Sequence, residues 1–210
     1  MPNTCAGYQN GALSGSISCT WSPSPPPAGS SLVCGGTTIN TGSTVTGLSI
    51  SDGTVFTPSL AARDANGNRW ILLAYRFNIG VTAPATVTMT ITGTDMSAII
   101  VCNAFTDSLG IPTADGTCIF GTNSVVSSPV TCTSAIVTTG LDYIVGLCAQ
   151  FTGNPIPSAG WAVGSTSSNL VGSAITVLEI QIQAVAGSIT PSFTTTTGQY
   201  AGINGFAIKP

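Results

Sequence analysis

The chain has very few ionisable side chains. It contains no histidine among 210 residues, charged residues occupy 5% of positions, and Lys209 and Glu179 are its single lysine and single glutamate. Histidine is the side chain whose unperturbed pKa lies in the physiological range, and it is the commonest metal ligand. Its absence excludes a Ser-His-Asp triad, a Cys-His nucleophile and any His-ligated metal centre. We therefore predict a protein that is not an enzyme, with no catalytic residue, no metal site and no cofactor.

Basic residues and long apolar runs are also scarce. The net charge is −3, and the chain has four cations: Arg63, Arg69, Arg76 and Lys209. Binding to nucleic acid, or to a membrane through a polybasic anchor, requires clustered Lys and Arg. The longest apolar runs, Trp70–Tyr75 and Ala98–Val101, fall far short of the roughly 18 residues that a membrane-spanning helix needs. The sequence predicts no nucleic-acid partner and no membrane insertion, and its low charge suits packing against further copies of itself as a homo-oligomer.

The start of the chain shows neither the basic segment nor the apolar stretch of a secretory signal peptide. Two explanations fit this observation. A virion protein assembles in the cytoplasm and meets oxidising surroundings after lysis, whereas a secreted protein would have lost its leader from this numbering. Both predict a virion or extracellular location.

Seven cysteines suggest covalent cross-links. They lie at positions 5, 19, 34, 102, 118, 132 and 148. No two form a CxxC pair, so a zinc site has no support in their spacing. Cys5, Cys19 and Cys34 fall in a Pro/Gly/Ser-rich region too poor in apolar residues to bury them, which favours disulfides over buried thiols.

The other cysteines leave alternatives open. Cys118 and Cys132 bracket a loop of about 15 residues, and a bridge there would stabilise the fold by about 3 kcal/mol in the chain-entropy model. Cys102 and Cys148 lie in apolar strands and fit either buried thiols or disulfides. Because the total is odd, at least one thiol is free or paired with another chain.

Proline divides the chain into two parts. The segment Ser22–Ser30 contains four prolines, and consecutive prolines favour a semi-rigid polyproline II spacer. We therefore predict an extended N-terminal arm and linker over residues 1–30, with one short strand around Ser16–Trp21. Residues 31–210 are expected to form the body.

The body shows the pattern of β-strands nearly throughout. Short alternating or β-branched runs are separated by turn residues such as Thr139-Gly140 and Ala186-Gly187, and no stretch has a helical period with capping signals. This predicts an all-β protein, an antiparallel β-sandwich or jelly roll of about ten strands. Ala98–Cys102 is apolar at every position, which indicates a central strand whose outer face is covered by a loop or another subunit.

Four features could carry chemistry. Asp64–Asn68 begins like a calcium loop, but its glycine comes too early and Tyr75 stands where a glutamate would close the site, so a hairpin turn is favoured. Glu179 lies mid-strand, where a solvated or subunit-facing position is favoured over a glycosidase acid. Lys209 could form an isopeptide bond to an Asn or Asp beside a second acid, or be simply solvated. Trp161, next to a loop, is expected to pack in the core or at a subunit interface in preference to stacking on a glycan.

Part of the body carries a family resemblance. The phrases are Asp64–Trp70 leading into a strand, Ala74–Phe77, the Thr-rich strand Thr86–Ile91 and the apolar Ile99–Phe105. On these phrases the stretch 45–151 resembles a β-sandwich module of bacteriophage tail and head-decoration proteins and of bacterial surface proteins. The resemblance implies a structural or attachment role without catalytic residues.

The sequence therefore predicts a non-enzymatic structural subunit of an extracellular assembly, with itself and other virion subunits as partners. The leading hypothesis is a bacteriophage virion protein: a capsid decoration, head-fibre or tail-associated subunit whose arm reaches a neighbour and whose disulfides lock the contact. One alternative is a secreted filament or surface-layer subunit whose arm donates a strand to the next protomer. Another is a carbohydrate-binding module that uses Trp161.

Overall fold

A computed structural model gives the fold. It describes residues 3–39, 45–63, 69–106, 113–117, 121–123, 128–150, 155–157, 159, 162–168, 175–195 and 201–209. Within these ranges every pair of strands is antiparallel and no helix occurs. It follows that this part of the chain has no helix long and apolar enough to cross a membrane.

The first half of the chain forms sheet A. Its strands are β1 (Thr4–Thr20), β2 (Ser30–Ile39), β3 (Gly47–Ser51), β4 (Thr57–Arg63), β5 (Arg69–Arg76) and β6 (Thr86–Thr106). The strand order is β1-β6-β2-β5-β4, and β3 also pairs with β6. The long strand β6 is therefore the centre of this sheet, with three hydrogen-bonded partners.

The second half forms sheet B and two small sheets. Its strands are β7 (Thr113–Thr117), β8 (Gly121–Asn123), β9 (Val130–Thr131), β10 (Ile136–Thr138), β11 (Asp142–Gln150), β12 (Ile156–Pro157), β13 (Ala162–Ser168), β14 (Ile175–Gln183), β15 (Gly187–Ile189), β16 (Ser192–Thr194) and β17 (Ala201–Lys209). Sheet B has the order β13-β14-β11-β17-β7, with β8 also on β17. The small sheets are β10-β15 and β12-β16-β9.

Strands β1 and β6 form a ribbon that is folded back on itself. Thr4 lies opposite Asn103 at one end of the ribbon and Thr20 lies opposite Thr86 at the other, with register shifts near its middle. Nevertheless, the backbone nitrogen of Ser22 donates a 2.8 Å hydrogen bond to the carbonyl of Thr4. Because β-bulges bend a strand and increase its twist, the shifts let the second half of the ribbon lie over the first.

The fold has four β layers around three apolar cores. The folded-over half of the ribbon forms one layer together with β3. The first core lies between this layer and the rest of sheet A, and the second lies between sheets A and B. The third core lies between sheet B and the small strands β9, β10, β15 and β16. Side chains alternate across each central strand, so that Ile100 points into the first core while Ile99 points into the second.

This layering explains the all-apolar strands. The sequence predicted that Ala98–Cys102 is a central strand covered on both faces, and all five of its residues are 0% exposed. Further layers of the same chain provide the cover. Strands β5, β11 and β17 repeat the pattern, with alternate residues assigned to two different cores.

The segment predicted as an N-terminal arm lies within the body. From residue 4 onward it forms β1, whose Cys5, Ile17 and Cys19 are buried in the first core. The Pro-rich segment that follows is also held, since the carbonyl of Pro26 accepts a 2.8 Å hydrogen bond from the nitrogen of Ala83. The amino-acid composition did not indicate that this segment is part of the body, because β1 contributes few apolar side chains. It is held mainly by backbone pairing with β6.

The all-β, antiparallel class is confirmed, and stacked sheets are consistent with a β-sandwich. The described residues contain seventeen strands where about ten were expected, because several are two- or three-residue segments that have no alternation to detect. The jelly-roll strand order stays a prediction.

Candidate functional site

Four cysteines meet in the first core. Cys5 lies opposite Cys102 across β1 and β6, and Cys34 lies opposite Cys102 across β2 and β6. Cys19 comes from the folded-over half of β1. The disulfides are Cys5–Cys19, with Cα atoms 5.5 Å apart, and Cys34–Cys102, with Cα atoms 4.1 Å apart. All three N-terminal cysteines are thus in disulfides, and they are buried, although their sequence surroundings suggested too little apolar cover.

The arrangement of these sulfurs points to cross-linking. The sulfur atoms of Cys5, Cys19 and Cys102 lie within 4.8 Å of one another, which is compatible with metal ligation in principle. Metals are bound by thiolates, however, and these sulfurs are held in disulfides. One disulfide fastens the two halves of the ribbon and the other joins neighbouring strands of sheet A. Such bonds persist in an oxidising environment and indicate that the protein resides in one.

The remaining cysteines lie in the second half of the chain. Cys132 is disulfide-bonded and buried in the third core. Cys118 lies outside the described residues, so the Cys118–Cys132 bridge stays a prediction. Cys148 is a buried thiol in the third core.

A polar cluster lies at one end of sheet B, around Lys209 at the end of β17. In the β17–β7 ladder Ala207 lies opposite Gly116 and Ile208 lies opposite Ala114, so Asp115 is the extra residue of a β-bulge. Bulges re-aim side chains. This one places Asp115 beside the turn that leads from β10 into β11.

Hydrogen bonds connect the cluster. The Asp115 Oδ2 atom accepts from the Thr139 backbone nitrogen at 3.0 Å and from Thr139 Oγ1 at 2.9 Å. Lys209 Nζ donates to the same Thr139 Oγ1 at 2.8 Å. The Asp142 Oδ2 atom accepts from the Gly140 nitrogen at 3.4 Å. Thr139 therefore bridges the amine of Lys209 and the carboxylate of Asp115.

The two carboxyl groups have different environments. Asp142 is fully buried, and its Oδ1 atom has no hydrogen-bond partner. Burial, followed by the nearby charge of Asp115, raises the pKa of Asp142. The hydrogen bond from the Thr139 backbone lowers the pKa of Asp115. When the surroundings of two neighbouring carboxyl groups push their pKa values apart, one group is suited to act as an acid and the other as a base. Here the two groups are Asp142 and Asp115, and they lie beside the amine of Lys209.

A second charged group is the ion pair between Arg76 and Asp52. The Asp52 Oδ1 atom also accepts a 3.2 Å hydrogen bond from the Thr54 nitrogen. Asp52 follows β3 and Arg76 ends β5, so the pair ties the β3–β4 connection to sheet A. Its role is structural.

Other residues named from the sequence are only partly located. Trp161 and the calcium-like segment Asp64–Asn68 lie outside the described residues. Glu179 is in β14, with its backbone opposite Gly146 of β11 and Val163 of β13. Its solvated or subunit-facing role stays a prediction, as does the absence of catalytic and metal sites.

The sequence reasoning missed three members of the polar cluster: Asp115, Thr139 and Asp142. Asp115 and Thr139 each stand beside glycine, and Asp142 follows Gly140 by two residues, so all three lie in stretches typical of turns, where Asp caps its own backbone. Only pairing among β7, β11 and β17 brings them to Lys209. No protein-family model, curated protein or solved structure matches the chain.

Proposed function

We propose that the protein is a non-enzymatic structural subunit of an extracellular assembly, and specifically a bacteriophage virion protein of the capsid-decoration, head-fibre or tail-associated kind. The observation that carries the proposal is the four-layered β body whose central strands are buried on both faces and cross-linked by disulfides. Such a body is rigid and covalently reinforced. Rigidity of this kind suits a component that bears load.

The surface supports packing against other subunits. The pairing of β10 with β15 and of β11 with β14 brings the β10–β11 and β14–β15 connections to the same end of these strands. Four exposed apolar residues lie in or next to these connections, and we call them the end patch: Val137, Leu141, Ile182 and Val185. Three of them are at least 60% exposed. Exposed apolar residues grouped in one region mark interaction sites more often than scattered ones. With few charges on the chain, little repulsion opposes contact between two copies.

The end patch replaces the arm in the proposed mechanism. Strand β1 is already paired with β6 of its own chain, so residues 4–20 are not available to reach a neighbour. We therefore assign the contact between subunits to the end patch. The disulfides Cys5–Cys19 and Cys34–Cys102 lie within one chain, so they hold each subunit rigid.

The test is the oligomeric state of the purified full chain, measured by sedimentation velocity over a range of concentrations. The wild type is expected to form oligomers, and the double variant Ile182→Asp/Val185→Asp is expected to sediment as a monomer. The matched control is Val55→Asp/Val81→Asp. These valines are 70% and 68% exposed, and they lie outside the end patch. Oligomers in the control and monomers in the end-patch variant support the proposal.

Two outcomes count against it. A wild-type chain that remains monomeric at all concentrations and does not bind virions would contradict a structural subunit. Open filaments in electron micrographs of the wild type would replace the virion assignment with that of a secreted filament.

A further inference from the structure

The register of sheet B places the chain's single lysine opposite a buried carboxyl group. In the ladder between β11 and β17, Tyr143 lies opposite Ile208. One further step in the same register places Asp142 opposite Lys209. Directly opposite residues in an antiparallel pair project to the same face, with Cβ atoms about 4.5–5.5 Å apart. A lysine amine is therefore within reach of the Asp142 carboxyl carbon.

We propose that Lys209 and Asp142 are joined by an intramolecular isopeptide bond. The bond forms without the help of another protein, and Asp115 and Thr139 carry away the proton that the lysine ammonium loses. The bond lies within one chain, so it does not depend on the proposed assembly role. It would be a covalent link in sheet B, in addition to the two disulfides that cross-link sheet A and its ribbon.

The state of Asp142 is the second observation that points to this bond. Its side chain is fully buried, and its Oδ1 atom lacks a hydrogen-bond partner. Burying a carboxyl group without its hydrogen bonds is costly, and the cost is much greater if the group is charged. An amide at this position is neutral, so the bond removes the possibility of a buried charge. Burial also excludes the water that would hydrolyse the product.

The three other groups supply a complete route for the proton. Lys209 Nζ lies 2.8 Å from Thr139 Oγ1, which lies 2.9 Å from Asp115 Oδ2. The lowered pKa of Asp115 favours its ionised form, and this carboxylate accepts the proton that the lysine ammonium releases through the Thr139 hydroxyl. The free amine then attacks the carboxyl carbon of Asp142 in its protonated form, which burial favours by raising the pKa of that group.

The step balances without an oxidant or a further reactant. A bond forms between Lys209 Nζ and Asp142 Cγ, and the bond from Cγ to the carboxyl hydroxyl breaks. The hydroxyl leaves with the second proton of the amine as one molecule of water. Asp115 then returns its proton to solvent, and no atom changes its oxidation state.

The test is the intact mass of the full-length protein after its disulfides have been reduced. The wild type is expected to be lighter than its sequence mass by one water molecule. Digestion followed by tandem mass spectrometry should find the peptide with Lys209 joined to the peptide with Asp142. The Lys209→Arg variant, which keeps the positive charge, should have its full sequence mass, as should Asp115→Ala, which lacks the base.

Dehydration elsewhere is the main competing explanation, since Asp115 precedes Gly116 and such a pair loses water readily by forming a succinimide. A mass deficit that persists in Lys209→Arg would therefore overturn the proposal. So would a full sequence mass in wild-type protein whose circular dichroism shows a folded β structure. A linked peptide that contains Asp115 in place of Asp142 would overturn the assignment of the acceptor.

Discussion

The side-chain nitrogen of Asn204 donates a 3.3 Å hydrogen bond to the backbone carbonyl of Ile71, and this bond connects sheet B to sheet A. Asn204 is fully buried, on the face of β17 that also carries Phe206. A buried amide must keep its partner or lose free energy. The bond therefore favours one relative position of two sheets whose apolar faces would tolerate several.

We predict that Asn204→Ala lowers the free energy of unfolding by about 2 kcal/mol, from the lost hydrogen bond and the cavity that remains. Chemical denaturation monitored by tryptophan fluorescence measures the effect. Ser188→Ala, at an exposed position of β15, is the control and should change stability by less than about 0.5 kcal/mol. An equal effect in both variants would contradict a role for Asn204 between the sheets.

Gly35 gives a second test of how the sheets pack. A Cβ atom added to Gly35 would overlap the side chain of Leu147 on the facing sheet. Because a well-packed core does not accept extra volume without strain, we expect Gly35→Ala to destabilise the protein by about 1–3 kcal/mol. Gly47→Ala is the matched strand control, since nothing lies within 4 Å of the added atom there. Thermal unfolding of both variants should show a lower midpoint for Gly35→Ala alone.

The two disulfides should differ in their contribution to stability. Cys34–Cys102 joins residues 68 positions apart, and Cys5–Cys19 joins residues 14 positions apart. In the chain-entropy model their removal costs about 4 and about 3 kcal/mol. We therefore expect Cys34→Ala/Cys102→Ala to unfold at lower denaturant than Cys5→Ala/Cys19→Ala.

A control separates the loss of a cross-link from the loss of a buried sulfur. Cys148→Ala removes a buried cysteine from the third core and breaks no disulfide among the described residues, so its effect should be smaller than that of either double variant. If wild-type protein with all disulfides reduced were as stable as the oxidised form, the cross-links would contribute nothing.

The carboxyl pair of the polar cluster should make stability depend on pH, and Lys209→Arg is the suitable background because both carboxyls remain free there. The raised pKa of Asp142 means that the folded state holds its proton more tightly than the unfolded state. Stability should therefore fall as pH rises from the ordinary carboxyl value of 3.8 through the folded pKa of Asp142.

The contribution of Asp115 to the pH dependence of stability has the opposite sign. Its lowered pKa contributes stability that is present above 3.8 and is lost as pH falls through its folded pKa. Denaturation of Lys209→Arg measured from pH 3 to pH 7 should show a decline above about pH 4. Adding Asp142→Asn should abolish that decline, and its persistence would assign it to another group.

The strands of the central sheets could be predicted from the sequence, whereas the polar cluster could not. A strand buried on both faces, such as Ala98–Cys102, is apolar at every position, so it can be recognised from its own residues. Strand β1 has no such signal, because its order depends on β6, which follows it by more than 60 residues. Lys209 and Asp142 are likewise brought together only by the pairing of β17 with β11, which local pattern does not encode.

The folded ribbon has a consequence for synthesis on the ribosome. Thr4 pairs with Asn103, so β1 leaves the ribosome well before the strand that pairs with it. During that interval the backbone groups of β1 are not paired with another strand, and exposed strands of this kind pair readily with other chains. Contacts between distant parts of a chain also form slowly. Production of this protein is therefore expected to depend on protection of β1 until β6 has been translated.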